Sequence, residues 1–232
     1  WIMEHHDAWT RITLHGYYEK TRCREYTQEH IHKCMLDRLG VLEALLTGCI
    51  KVAAVVESFC SFSCVEVVKK EYLWLQSQCQ KFGLDTSSRQ HSYHAALIVN
   101  YVEMTTMPGA ELCSAVSAIW AFMMTSWIGW NRALGRLSNQ MTEEYRQLAV
   151  ALSEPEAMQP LLEAAELLDR CLKRADVKEV FNAQKTFEEM LKLISSFLDE
   201  ATVTEKDTEF LFCLDCGRKG HSSTECAFRS HV

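Results

Sequence analysis

Proline and glycine are scarce, at three and nine in 232 residues. A turn-rich β fold needs both for its chain reversals, so their scarcity points to long uninterrupted helices. No stretch repeats and no tract is of low complexity, which argues against a solenoid. A basic excess is missing too. The formal net charge is −7, whereas a protein that grips nucleic acid over a broad face is usually basic, because neutralised phosphates supply most of the affinity. The chain opens on Trp1 rather than methionine. A further N-terminal segment is therefore expected, and any targeting signal would lie in it.

What is present is an ordinary globular balance of 48% hydrophobic and 24% charged residues, which excludes general disorder. The length suits one large domain, or one domain with a small appendage. Cysteine is abundant, with eleven in all, and eight of these are scattered through apolar helical stretches. Secreted disulfide scaffolds are short and turn-rich. The expectation here is buried, reduced thiols in an intracellular protein.

Apolar spacing predicts helices from about Tyr26 to Val56, Ser63 to Phe82 and Ser87 to Thr106. Another is predicted from Ala110 past Trp130, and the last from Val177 to Ala201. Thr142-Glu143-Glu144 resembles a capping sequence for a short helix, and Pro155 suits the first turn of a helix running to Lys173. Leu112 to Trp130 contains no charge over nineteen residues, close to the ~20 needed to span a bilayer. Four serines or threonines interrupt it, and Glu111 and Arg132 bound it. The reading is a central helix surrounded by other helices and apolar on every side, with no membrane involved.

Residues 202–210 are polar and read as a linker to a different kind of segment, residues 211–232. That tail carries a net +1, which leaves −8 on residues 1–210. It contains Cys213, Cys216, His221 and Cys226, spaced C-x2-C-x4-H-x4-C. Three thiolates and an imidazole close a tetrahedral shell, the signature of a structural zinc (Zn2+) site with one metal per chain. Gly217 and Gly220 flank the ligands, where glycine lets the backbone turn tightly around the metal. So small a segment has no core, and metal binding would supply its folding energy, on the order of 10–16 kcal/mol in comparable peptides. A second cluster, Cys23, His30, His32 and Cys34, is read as coincidence, because His32 lies off the helix face that His30 and Cys34 share.

The tail string resembles the CCHC zinc knuckles of retroviral nucleocapsid and cellular RNA-binding proteins. That resemblance implies contact with single-stranded RNA or DNA through stacked bases. The platform positions fall on Leu214 and Ser222, with Arg218 and Lys219 placed for phosphates. Serine offers no stacking face, so a protein partner stays open beside nucleic acid.

The helical body carries a different resemblance. Met35-Leu36-Asp37, Glu71 to Asp85, Tyr101 to Met104 followed by Ala115 to Ala121, and Phe181 to Glu188 together resemble the TenA / thiaminase II family, most closely its plant and eukaryotic branch. The resemblance covers about residues 28–201 and implies an all-α, haem-oxygenase-like helical bundle for residues 1–201. It implies an aminopyrimidine ligand, hydrolysed at its amino group without metal or cofactor, and a dimer or tetramer as the assembly. Carried over by position, Asp37 would anchor the pyrimidine ring and Glu188 (Glu189 in a register shifted by one) would transfer the proton. Trp120 is a candidate on the substrate side, although tryptophans at this spacing also suit a core.

The departures matter as much. The family's second acid or cysteine falls on Met123, and its tyrosines fall on Ile98, Ser126 and Gly40. Displacing an exocyclic amine needs an attacking group and an acid, and methionine is neither. The expectation is a catalytically degenerate TenA-like domain carrying a zinc knuckle for nucleic-acid or protein contact. Two alternatives stand beside it: an active aminopyrimidine aminohydrolase or thiaminase in thiamin salvage, and a retroelement capsid followed by a nucleocapsid knuckle.

Overall fold

The structure, a computed structural model, describes residues 6–15, 17, 28–57, 60–87, 91–137, 146, 147, 149, 150 and 158–202. Its principal helices are α1 (His6–Thr13), α2 (Gln28–Val56), α3 (Cys64–Lys81), α4 (Tyr93–Thr105), α5 (Leu112–Leu137), α6 (Met158–Leu172) and α7 (Val177–Thr202). No strand occurs among the described residues, as the poverty in proline and glycine predicts.

Helix α5 is the hub, packing against α1, α2, α4, α6 and α7. Ala115, Val116, Ala118, Ile119, Ala121 and Phe122 are all buried, so consecutive positions face different neighbours. Its hydroxyls are absorbed locally. Ser117 Oγ donates to the Ala183 carbonyl at 3.0 Å, and Thr125 Oγ1 donates to the Ala121 carbonyl at 2.7 Å. Glu29–Val56 and Leu112–Gly135 are both long and apolar enough to cross a bilayer, yet 78% of the apolar window of the second is buried within the bundle. That burial fits a core helix.

Helix α7 shows the amphipathic alternative. Ala183, Phe187, Met190, Leu191, Ile194 and Leu198 are buried, a stripe at three- and four-residue spacing that lies against α5, α4 and α1.

One boundary departs from the sequence reading. Ser87 does not open α4. Its backbone N–H donates to Asp85 Oδ1 at 2.9 Å in a local turn, of the kind aspartate makes readily. The cap is Ser92, whose hydroxyl accepts from the Ala95 N–H at 3.4 Å. Pro160 stands in the first turn of α6, where its missing N–H costs nothing. Pro155, the Thr142-Glu143-Glu144 sequence and residues 203–232 lie outside the described residues.

Helix α1 was absent from the sequence reading, and it closes the core. Trp9 stacks on Trp120 and Phe187 with centroids 6.0 and 6.2 Å away. Trp120 and Phe187 are themselves 6.0 Å apart. Arg11 donates to Ser195 Oγ at 3.0 Å, and Arg132 donates to Thr13 Oγ1 at 2.7 Å. An eight-residue helix is too short to stand alone, and these contacts hold it.

Candidate functional site

Two of the four residues that the resemblance marks as altered, Met123 and Ser126, line a cleft between α2, α3 and α5. Arg38, Leu42, Glu71, Phe122, Met123, Ser126 and Trp127 are among its walls. Its open space is about 20 Å³, room for about one water molecule. Arg38 takes up most of the polar contacts. Its Nε and Nη2 both donate to Glu71 Oε1, at 2.9 and 2.5 Å, and Nη2 also donates to Ser126 Oγ at 2.7 Å. The guanidinium carbon stands 5.8 Å from the centroid of the Phe122 ring, within cation–π range. The Arg38 and Glu71 side chains are 12% and 16% exposed, so the pair is largely withdrawn from water.

Asp37 precedes Arg38 in sequence but faces elsewhere, since adjacent helix residues point about 100° apart. It is buried, and its Oδ1 accepts the Ser92 N–H at 2.7 Å. It therefore ties α2 to the first turn of α4. Burial raises the Asp37 carboxyl above its ordinary value, against the opposing pull of the Ser92 hydrogen bonds, Lys33 and His91. Nearby, Glu200 accepts from the His94 N–H and meets His94 Nδ1, both at 3.0 Å. Burial alone would raise the Glu200 carboxyl, but the His94 and Ser92 contacts hold it below the usual range.

Gly40 fits the same junction. A Cβ there would fall 2.1 Å from His91 Cε1, so the imidazole occupies the space beside the position where the resemblance sets a tyrosine.

The other candidates are dispersed. Glu188 is half-buried on α7, with Gln184 Nε2 3.3 Å from its Oε1. It lies twelve residues before Glu200, about 18 Å along the helix axis, and so at a different level from Asp37. Neither Asp37 nor Glu188 lines the cleft. Trp120 is packed in the core, and its indole N–H donates to the Leu161 carbonyl at 3.0 Å. Ile98 is fully buried.

His30 Nε2 approaches Cys34 Sγ at 3.5 Å and the Ala201 carbonyl at 2.7 Å, whereas His32 packs on Phe82 with centroids 5.1 Å apart. The divergence of His32 is the one its helix position predicts. No group of three or more metal-ligating side chains occurs among the described residues. Cys213, Cys216, His221 and Cys226 lie outside the described residues, as do Leu214, Arg218 and Lys219.

No family model matches the sequence, and no curated protein is similar to it in sequence. Solved structures are similar in shape. A TenA homologue from Pyrococcus furiosus superposes with a TM-score of 0.74 at 16% identity, covering 86% of this chain and 97% of that one. The fold is that of the TenA homologues. A TenA homologue from Pseudomonas syringae gives 0.69 at 13% identity, covering 86% and 90% of the two chains. A TenA-like protein from Sulfolobus solfataricus, described as a putative thiaminase, gives 0.59 at 12%, covering 84% and 90%. The likeness extends over the helical body that the sequence resemblance marks.

Arg38 and Glu71 are the site residues the sequence reading missed. A signal existed, because Arg38 sits among Met35, Leu39 and Leu42 on a largely apolar helix, and a charge there needs a partner.

Two predictions follow from this geometry. Arg38→Met keeps the side-chain length but strands a buried carboxylate, and should cost about 3 kcal/mol or more in urea unfolding. Adding Glu71→Gln should recover much of that loss, whereas simple addition of two penalties would contradict the coupling.

For Asp37, the Asn variant keeps an oxygen for the Ser92 N–H and should match or exceed wild-type stability at neutral pH. The Ala variant should lose about 1–2 kcal/mol. A carboxyl raised on folding stabilises most below its unfolded pKa and loses that contribution as pH rises through the folded one. The Asn variant should therefore gain on wild type as pH rises from 4 to 7, as read by unfolding across that range.

Proposed function

We propose that this chain is a catalytically degenerate TenA-like helical domain, with a C-terminal CCHC zinc knuckle that serves contact with single-stranded nucleic acid or a protein partner. The observation that carries the first half is the Arg38–Glu71–Ser126 cluster, which fills the cleft beside Met123. Hydrolysis of an exocyclic amine needs room for the ring, an attacking group and a proton donor. Here the cleft holds about 20 Å³, far below the several hundred a small-molecule site occupies. Methionine stands where the resemblance sets the second acid or cysteine. Asp37 accepts the N–H of Ser92, the cap of α4, which gives it a structural task independent of any substrate.

The second half rests on ligand chemistry. Cys213, Cys216, His221 and Cys226 form a closed set for one structural Zn2+, and Arg218 and Lys219 place positive charge beside it. An acidic body joined to a near-neutral tail limits nucleic-acid contact to the knuckle. In this reading the protein is intracellular, and the helical body is a scaffold that presents the knuckle. An active aminopyrimidine aminohydrolase has no observation in its favour beyond the shared fold, and the bundle gives no support to a retroelement capsid.

Both halves are tested on the purified full chain. No ammonia above background is expected from an aminopyrimidine substrate; release that Glu188→Ala abolishes would overturn the degenerate reading. Zinc content should be one per chain and fall to none in Cys213→Ser. Binding to single-stranded RNA should weaken with salt and with Arg218→Ala, while an absence of binding at low salt assigns the knuckle to a protein partner.

A further inference from the structure

Seven cysteines in the described body are free thiols, and their settings differ. Cys49 and Cys64 are neighbours but fully buried, and Cys64 Sγ donates to the Pro160 carbonyl at 3.4 Å. No solute reaches them. Cys113, near the start of α5, and Cys171, near the end of α6, form the other close pair. Both side chains stand on the wall of one cavity. It holds about 360 Å³, and its walls include Arg170, Arg174, Ala175 and Glu179.

The two thiols are not equivalent. Cys171 is partly buried and Cys113 is 7% exposed. Burial raises both thiols, and Cys113 is pushed up to about 11. At Cys171 the opposing influences are the neighbouring Cys113 thiol and the guanidiniums of Arg170 and Arg174. Cys171 is the sulfur more open to solvent. Cys60 is a third sulfur close enough to Cys171 to oppose its ionisation.

The cavity is also suited to an anion. Arg170, in the last turn of α6, and Arg174, in the turn that follows it, both stand on its wall. The acid on the same wall, Glu179, is turned to another task. Its Oε2 accepts the Asp176 N–H at 3.1 Å, while its own N–H donates to Asp176 Oδ1 at 2.8 Å. This reciprocal cap fixes the carboxylate at the start of α7, and two guanidiniums against one carboxylate leave the wall with a net positive charge.

We propose that Cys171 and Cys113 form a thiol–disulfide exchange site for small anionic disulfides, with Cys171 attacking and Cys113 resolving. The Cys171 thiolate attacks one sulfur of the disulfide RSSR. The first S–S bond breaks, RS⁻ leaves and takes up a proton, and a mixed disulfide Cys171–S–S–R remains. The Cys113 thiolate then attacks the Cys171 sulfur and expels the second RS⁻. One RSSR is reduced to two RSH, and two protein thiols become one disulfide. Both cysteines sit near helix ends, where the chain can adjust to the ~5.5–6 Å Cα spacing that a disulfide prefers. The bridge would lock α5 to α6.

The test uses the full chain and oxidised glutathione, an anionic disulfide, followed by alkylation under denaturing conditions and peptide mapping. Wild type should yield a linked pair of peptides containing Cys113 and Cys171. Cys113→Ser should stop with one glutathionyl group on Cys171, and Cys171→Ser should leave Cys113 alkylated. Cys60→Ser should change nothing, and unaltered helical circular dichroism shows that each variant is folded. Cystamine, a cationic disulfide, should react several-fold more slowly than oxidised glutathione with wild type, and the order should reverse in Arg170→Glu/Arg174→Glu. The proposal is overturned if Cys113 and Cys171 both remain thiols, if Cys171 links to Cys60, or if the charge of the disulfide makes no difference.

Discussion

The Arg38–Glu71 ion pair constrains three helices at once, because Arg38 on α2 reaches Glu71 on α3 and Ser126 on α5. A buried pair of charges is a poor source of net stability, since desolvating both ions offsets much of their attraction. Its force lies in what it forbids. Neither partner can be lost or moved into water without leaving the other stranded, so the cleft between the helices stays filled. The small side chain at Ser126 fits the same requirement. It gives Arg38 an acceptor that a larger, apolar residue would remove.

Besides the His30 contact with α7, the N-terminal half of α2 therefore has two polar attachments on different faces. One is the Arg38 pair towards α3 and α5. The other is Asp37, which holds the start of α4, where Glu200 of α7 also binds through His94. Gly40, two residues after Arg38, lets the His91 ring lie against α2. The two attachments fix how α2 sits against the hub. They also separate the acids that the resemblance pairs, since Asp37 faces α4 while Glu188 lies well along α7.

Much of the bundle is legible in the sequence. The uncharged run from Leu112, bounded by Glu111 and Arg132, gives the hub, and the stripe from Ala183 to Leu198 gives the amphipathic last helix. Helix α1 is not legible, because eight residues rich in polar side chains hold their conformation through Trp9 and the Arg11 and Arg132 contacts, none of which is local. The start of α4 is ambiguous for a similar reason. Ser87 and Ser92 are equal as caps in sequence, and only the distant Asp37 selects Ser92. Of the candidate cleft, the sequence marked Met123 and Ser126, but only the fold shows that a charge pair stands beside them.

The central claim is that the cleft is closed by its own residues, and titrating an aminopyrimidine into the purified protein in a calorimeter tests it most directly. The account predicts no saturable heat at millimolar ligand. Binding at one site per chain, abolished when Met123 or Ser126 is enlarged to tryptophan in a folded variant, would contradict it.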